Sequence, residues 1–158
     1  MRQGDLTDPG FVRGAAAGAA AAFWLDVTPH IADDPVKESA ALGEVFAEAA
    51  REVGRNVALS SVGAERRSGA GHIDGLARIE ELLDATGVAV THLRCGYFFT
   101  NLLMDVDGLR QGVLTGTRDP EDPMPWVDPR DVGEVAAARL LARTGRTGSS
   151  RACTVPRT

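Results

Sequence analysis

The chain holds a single lysine, Lys37, and a single tyrosine, Tyr97. A Tyr-x-x-x-Lys pair, in which an ammonium lowers the pKa of a phenol acid, therefore cannot form within it. Neither G-x-G-x-x-G nor G-x-x-G-x-x-G follows any strand-like run, so no such turn presents backbone amides and a helix N-terminus to a pyrophosphate. Gly14 and Gly18 bracket three alanines, but that cluster precedes an apolar strand and reads as tight helix packing. Cysteine is scarce: Cys95 and Cys153 stand far apart, without a C-x-x-C spacing or a histidine at ligand distance. Such usage argues against a metal site and suits a reduced, cytoplasmic pair. His30, His72 and His92 share no ligand spacing either. The apolar run from Gly14 to Leu25 is shorter than the roughly 20 residues needed to cross a bilayer. Asp26 ends it at once, and Asp5 and Asp8 spoil the basic start of a signal peptide. Positive charge is also short. Lys and Arg total 17 against 22 acidic residues, giving a net charge of −5 and a pI near 5.2. That balance excludes sequence-independent binding to nucleic acid or to an anionic membrane surface.

What remains is an ordinary globular composition, 44% hydrophobic and 25% charged over 158 residues. It is read as one domain over 1–158, with a polar, frayed tail from residue 145. Ala21–Val27 is an apolar strand stopped by Thr28-Pro29. Asp33-Asp34-Pro35 then signals a helix start. Leu42, Val45, Phe46, Ala49, Ala50 and Val53 repeat at helical spacing, and Gly54 is read as a left-handed stop. Strands follow at 56–61 and 88–94. A second amphipathic helix, 72–86, closes at Gly87, and a third begins at Asp128-Pro129 and runs to 143. Tyr97, Phe98 and Phe99 lead into a short helix around 101–106, while Trp24 and Trp126 are read as packing residues. Strand and helix alternating at these lengths predicts parallel βαβ units, hence an α/β fold. Ligands of such sheets sit beyond the carboxyl ends of the strands, here Thr28-Pro29, Ser60-Ser61 and Arg94-Cys95-Gly96.

Several segments, taken in order, resemble the NmrA-like family of atypical short-chain dehydrogenase/reductases. Gly4-Asp5-Leu6-Thr7-Asp8 is similar to its GDL-x-D stretch, and Ser60-Ser61-Val62-Gly63-Ala64 to its SS-x-GA strand end. Glu80 through Gly87 resembles an E-x-x-L-x-x-T/S-G helix, and Thr91-His92-Leu93-Arg94 through Asn101 a T-x-LR-x-x-x-F-x-x-N signature. Val127–Asp131 with Val135-Ala136-Ala137 resembles its V-x-x-x-D-x-x-x-VAA helix. The resemblance implies a Rossmann-like three-layer α/β/α domain with a parallel sheet, here without the first βαβ portion. It implies NADP or NAD as cofactor. Asp5 and Leu6 would flank the adenine, Thr28 and Pro29 the middle of the cofactor, and Ser60 and Ser61 the nicotinamide ribose. Cys95, Gly96, Tyr97 and Phe98 would back the nicotinamide. Some members sense redox state by binding cofactor without chemistry, and others reduce quinones or carbonyls.

Three functional expectations follow. The first is a dinucleotide-binding sensor or regulator, or a degenerate copy of one. The second is an NAD(P)H-dependent oxidoreductase of the same fold. The third is an interaction module that binds no cofactor and pairs an exposed strand edge with a protein partner. With the family's first strand absent, the 21–27 strand, which the Rossmann order would pair with it, is expected at a bare sheet edge. The chain itself is expected to bind NAD(P) weakly or not at all, as an N-terminally truncated domain would, and no catalytic residue is assigned.

Overall fold

The computed structural model describes residues 3–29, 31–116, 119, 121–142 and, for the backbone alone, 149–153. In chain order the elements are α1 (Pro9–Ala16), β1 (Ala22–Trp24), α2 (Pro35–Ala50), β2 (Asn56–Ser61), α3 (Ile73–Asp84), β3 (Val90–Cys95), β4 (Tyr97–Phe98), α4 (Val106–Arg110), β5 (Trp126–Val127), α5 (Pro129–Leu141) and β6 (Ser149–Cys153). A 3-10 turn over Ala64–Arg66 precedes α3, and a longer one over Phe99–Asp105 precedes α4.

The main sheet has strand order β1-β2-β3-β6, and every pairing in it is parallel. The α/β parallel architecture expected from the strand and helix periodicity is the one observed. The crossovers of the main sheet are carried by helices, and the sequence encodes the starts of two of them, α2 and α5. The Asp34 carboxylate accepts from Lys37 N at 3.0 Å, with Pro35 in the first turn of α2. Asp128 does the same for Arg130 N at 2.8 Å ahead of Pro129 in α5. Both carboxylates occupy the positive end of a helix dipole.

Period-two alternation along the strands sorts the core into two layers. Trp24, Ala58 and Val90 join Val12 and Ala16 of α1, Leu42, Phe46 and Ala50 of α2, and Ile79 and Leu83 of α3. On the other face Val57, Leu93 and Cys95 pack against Val127 and, from α5, Val132 and Ala136. Each large side chain fully removed from water in these layers contributes about 1.5–3 kcal/mol. The helices α2 and α3 approach closely because Gly43 and Gly75 carry no side chain. A methyl on Gly75 would come within 2.7 Å of Ser39, and one on Gly43 within 3.0 Å of Ile79 and Leu82.

Several local expectations are corrected. The first strand is shorter than 21–27, because the Asp26 carboxylate turns away from the ladder to accept from Thr28 N at 2.9 Å and from Ser39 Oγ at 2.7 Å. Gly54 is not left-handed. The end of α2 is satisfied instead by buried Asn56, whose amide donates to the Ala50 and Val53 carbonyls while its oxygen accepts from Trp24 Nε1. Gly87, by contrast, has φ 74° and does close α3. The expected frayed tail supplies a strand: Ser149–Cys153 pairs with Thr91–Cys95 of β3. Residues 143–148 and 154–158 of that tail, like His30, lie outside the described residues. The parallel pair β4–β5 was not expected at all. It forms where Gly96 lets the chain pass against the Pro125 carbonyl, a space any side chain would fill.

Candidate functional site

Parallel pairing puts the ends of β2 and β3 side by side, with Ser60 opposite Arg94 and Ser61 opposite Cys95. The Val62 amide donates to the Cys95 carbonyl at 3.0 Å and holds the two ends together past the ladder. The pleat then sends the paired residues to opposite faces. Ser60 and Arg94 point toward α3, while Ser61 and Cys95 point toward α5.

On the α3 side the polar groups form a closed cluster around Glu80, which is 1% exposed. Ser60 Oγ donates to Glu80 Oε1 at 2.7 Å. Arg94 donates to both carboxylate oxygens, Nε to Oε1 at 2.9 Å and Nη2 to Oε2 at 2.6 Å. Arg67 adds a third cationic contact, Nη1 to Oε2 at 3.0 Å. Burial alone would push the Glu80 carboxyl up. The Arg94 and Ser60 hydrogen bonds, with smaller contributions from His92 and the Arg94 charge, outweigh it and hold the group below its ordinary value. The same hydrogen bonding raises Arg94, against a smaller effect of burial. Beside this cluster His92, 1% exposed, meets Asp84 Oδ1 through Nε2 at 2.7 Å, and its Nδ1 has no partner.

On the α5 side Cys95 is buried and Ser61 is half-buried, its hydroxyl donating to the Val62 carbonyl at 3.0 Å. Tyr97 and Phe98 follow in β4. Tyr97 N donates to Pro125 O at 2.7 Å, and its ring meets Trp126 edge-on at 5.3 Å. Trp126 also stacks on Phe99 at 5.2 Å, while Phe98 packs against the α5 core layer. An exposed aromatic surface thus borders the β3 end, with Tyr97 and Phe99 each over two-fifths exposed, at 42% and 45%.

The residues named from the sequence do not all converge. Ser61, Cys95, Gly96 and Tyr97 lie at the joined ends of β2 and β3, with Phe98 next along the chain. Ser60 is adjacent but committed to Glu80. Thr28 and Pro29 lie beyond the carboxyl end of β1, fixed by the Asp26 bond to Thr28 N. Asp5 is exposed, its carboxyl held low by the Thr7 amide and hydroxyl, each 2.8 Å away. Leu6 instead lines an apolar cavity of about 380 Å³ between α1 and β1, together with Phe11, Trp24, Leu25, Val27 and Phe46. Lys37 sits in the first turn of α2, on a different element from Tyr97. Among the described residues no cluster of histidine, cysteine and carboxylate could hold a metal ion, and no helix is long and apolar enough to cross a membrane.

Sequence reasoning missed Glu80 as a hub and Arg67 and Arg94 as its partners. A signal was available. Glu80 interrupts the stripe of Ala77 and Leu83 at helical spacing, and a charge on a buried stripe needs a partner, which strand alternation places at Arg94.

No protein-family model matches the chain, and neither does any curated protein. Solved structures do. An NADPH-dependent quinone oxidoreductase of Escherichia coli, complexed with NADPH, superposes with a TM-score of 0.74 at 20% identity, covering 97% of this chain and 52% of its own. A Citrobacter triphenylmethane reductase gives 0.76 at 18% identity, covering 95% and 51%. A nucleoside-diphosphate-sugar epimerase of Staphylococcus aureus gives 0.79 at 14%, covering 97% and 54%. The chain therefore has the Rossmann-like fold of these proteins and spans about half their length.

Proposed function

We propose that the chain carries the nicotinamide-side part of an NmrA-like dinucleotide site and serves a sensor or regulator of cytoplasmic redox state. NADP is the favoured cofactor, with NAD the alternative. The observation that carries this reading is the junction of β2 and β3. There Ser61, Cys95, Gly96 and Tyr97 meet where parallel sheets take their ligands, tied by the Val62–Cys95 hydrogen bond. Solved proteins of the same fold, complexed with NADPH, NADP(H) and NAD+, support the choice of ligand. Asp5, Leu6, Thr28 and Pro29 would extend the same site toward the adenine. A sensor fits this chain better than a reductase, since its single tyrosine and single lysine sit on separate elements and no proton relay is built from them.

A two-dimensional amide spectrum titrated with NADPH tests the placement. The largest shifts are expected at Ser60–Val62 and Cys95–Phe98, with smaller ones at Asp5, Leu6 and Thr28 on the adenine side. Shifts elsewhere, with these amides unmoved, would remove the assignment.

A second reading is favoured by β1. It pairs only with β2, and its outer edge is bare among the described residues. The Ala22 amide bonds Arg55 O toward β2, so the main-chain groups of Phe23 point away from the sheet. Phe23, Leu25 and Val27 are exposed beside the apolar cavity. An apolar strand from a protein partner would satisfy both features.

A further inference from the structure

We infer that residues 63–72 form a gate over the Ser60–Glu80–Arg94 cluster, and that Arg67 is its latch. This segment leaves the end of β2 and returns to the start of α3. Gly63, Arg67, Gly69 and Gly71 all adopt positive φ, at 102°, 66°, 82° and 65°. Arg67 is the one non-glycine residue to do so among the described residues. A side chain in that region crowds its own backbone, and such strain persists only where surrounding contacts hold it.

The holding contacts come from the guanidinium. Arg67 Nη1 donates to Glu80 Oε2 at 3.0 Å and to the Ala77 carbonyl at 3.3 Å, both on α3. Glu80 does not depend on Arg67 for neutrality, because Arg94 already donates to both of its oxygens and Ser60 to one. Releasing Arg67 therefore leaves no buried carboxylate unpaired, and it lets the left-handed backbone relax. An exposed cation that is redundant to the pair beneath it and strained in place can let go and return.

Within 63–67 further bonds stay inside the segment: Gly63 N donates to Glu65 Oε2 at 2.9 Å, and Arg66 N and Arg67 N donate to the Gly63 and Ala64 carbonyls at 3.1 Å each. Glu65, Arg66, Arg67, Ser68 and Gly69 are exposed, and Ala64 alone inserts a methyl into the interior. The far end is pinned to α3, where the Asp74 carboxylate accepts from Gly69 N and Ala70 N at 2.9 Å each. Gly63 and Gly69 are thus the hinges, and the stretch between them is the moving part. Swung out, it uncovers Glu80 and Ser60 beside the strand ends. The gate is independent of the dinucleotide reading and needs no ligand to be seen.

Hydrogen exchange on the ligand-free chain tests it. Arg67→Gly removes the tether while suiting the left-handed backbone. Arg67→Asn also tolerates that conformation, and its side chain is too short to reach Glu80. Both variants should speed exchange over 63–69 by roughly ten-fold or more, the factor that loss of one charge-assisted hydrogen bond implies. The amides of β2 and β3 should keep their wild-type rates. Unchanged exchange over 63–69 in both variants would overturn the latch. Equal acceleration across 63–69, β2 and β3 would also overturn it, by making Arg67 a support of the whole fold.

Discussion

Removing the Glu80 carboxylate exposes how much of the strand-end architecture rests on one buried charge. Glu80→Ala deletes four contacts at once and strands buried Ser60 and partly buried Arg94. Ser60 is 5% exposed, and the Arg94 side chain is 16% exposed. Breaking a buried ion pair from one side costs about 3–5 kcal/mol, because the surviving charge keeps its desolvation penalty without its partner. For a domain of this size each kcal/mol lowers Tm by about 2–4 °C, so a fall of roughly 6–20 °C is expected. Glu80→Met with Arg94→Met removes both charges of the pair; it leaves the buried Ser60 hydroxyl unpaired, a cost of about 1–3 kcal/mol, and returns the exposed Arg67 guanidinium to water. The double variant should therefore be more stable than Glu80→Ala. The pH dependence has a definite sign. The folded carboxyl titrates below its ordinary value of 4.5, so its stabilisation is present above that pH and is lost as pH falls through the folded value. The gap between wild type and Glu80→Ala should narrow under acid. Thermal and urea unfolding followed by circular dichroism measure all three quantities. A Glu80→Ala loss below about 1 kcal/mol, or a double variant less stable than the single, would refute the reasoning.

Three further outcomes follow from the geometry. Gly96→Ala should cost about 1–3 kcal/mol by driving a methyl into the Pro125 carbonyl, and should alter the near-ultraviolet signal of Trp126 as β4 and β5 part; an unperturbed signal would contradict it. His92→Leu removes a buried Nδ1 that has no partner and gives up the Nε2 contact to Asp84, whose carboxylate is 45% exposed and regains water, so a change in stability within about 1 kcal/mol is expected by urea titration, and a loss of about 3 kcal/mol or more would show a role beyond packing. Phe23→Lys at the β1 edge should leave Tm within about 2 °C of wild type in thermal unfolding, since Phe23 is 41% exposed; a fall of more than about 4 °C would show that its ring packs in the core.

How much of this was legible beforehand varies by physical cause. Helix starts were plain, because Asp34-Pro35 and Asp128-Pro129 encode capping within a few residues. The parallel sheet followed from the lengths of alternating apolar runs. Boundaries decided by distant partners were not legible. The end of α2 depends on Asn56 reaching back to Ala50 and Val53, so Gly54 looked like the stop. The strand at 149–153 has no apolar run of its own and forms by adding to the edge of β3. The candidate site was visible as small and polar residues at strand ends. Which face each one serves was not, since period-two alternation gives Ser60 to Glu80 and Ser61 to the α5 side only once register is known. Asp5 and Leu6 were placed by resemblance, beside the adenine; Leu6 lines the cavity at β1.

The central claim is that this chain holds the nicotinamide side of a dinucleotide site without a glycine-rich pyrophosphate loop in its sequence. Two or three missing charge-assisted hydrogen bonds, each contributing roughly 1.5–3 kcal/mol, weaken binding by about 3–6 kcal/mol, or on the order of a hundred- to ten-thousand-fold. Isothermal titration of the 158-residue chain with NADPH measures this directly. A saturable dissociation constant in the millimolar range is the predicted result. A micromolar constant would contradict the weight given to the loop, and the absence of any saturable heat up to tens of millimolar would contradict the site itself.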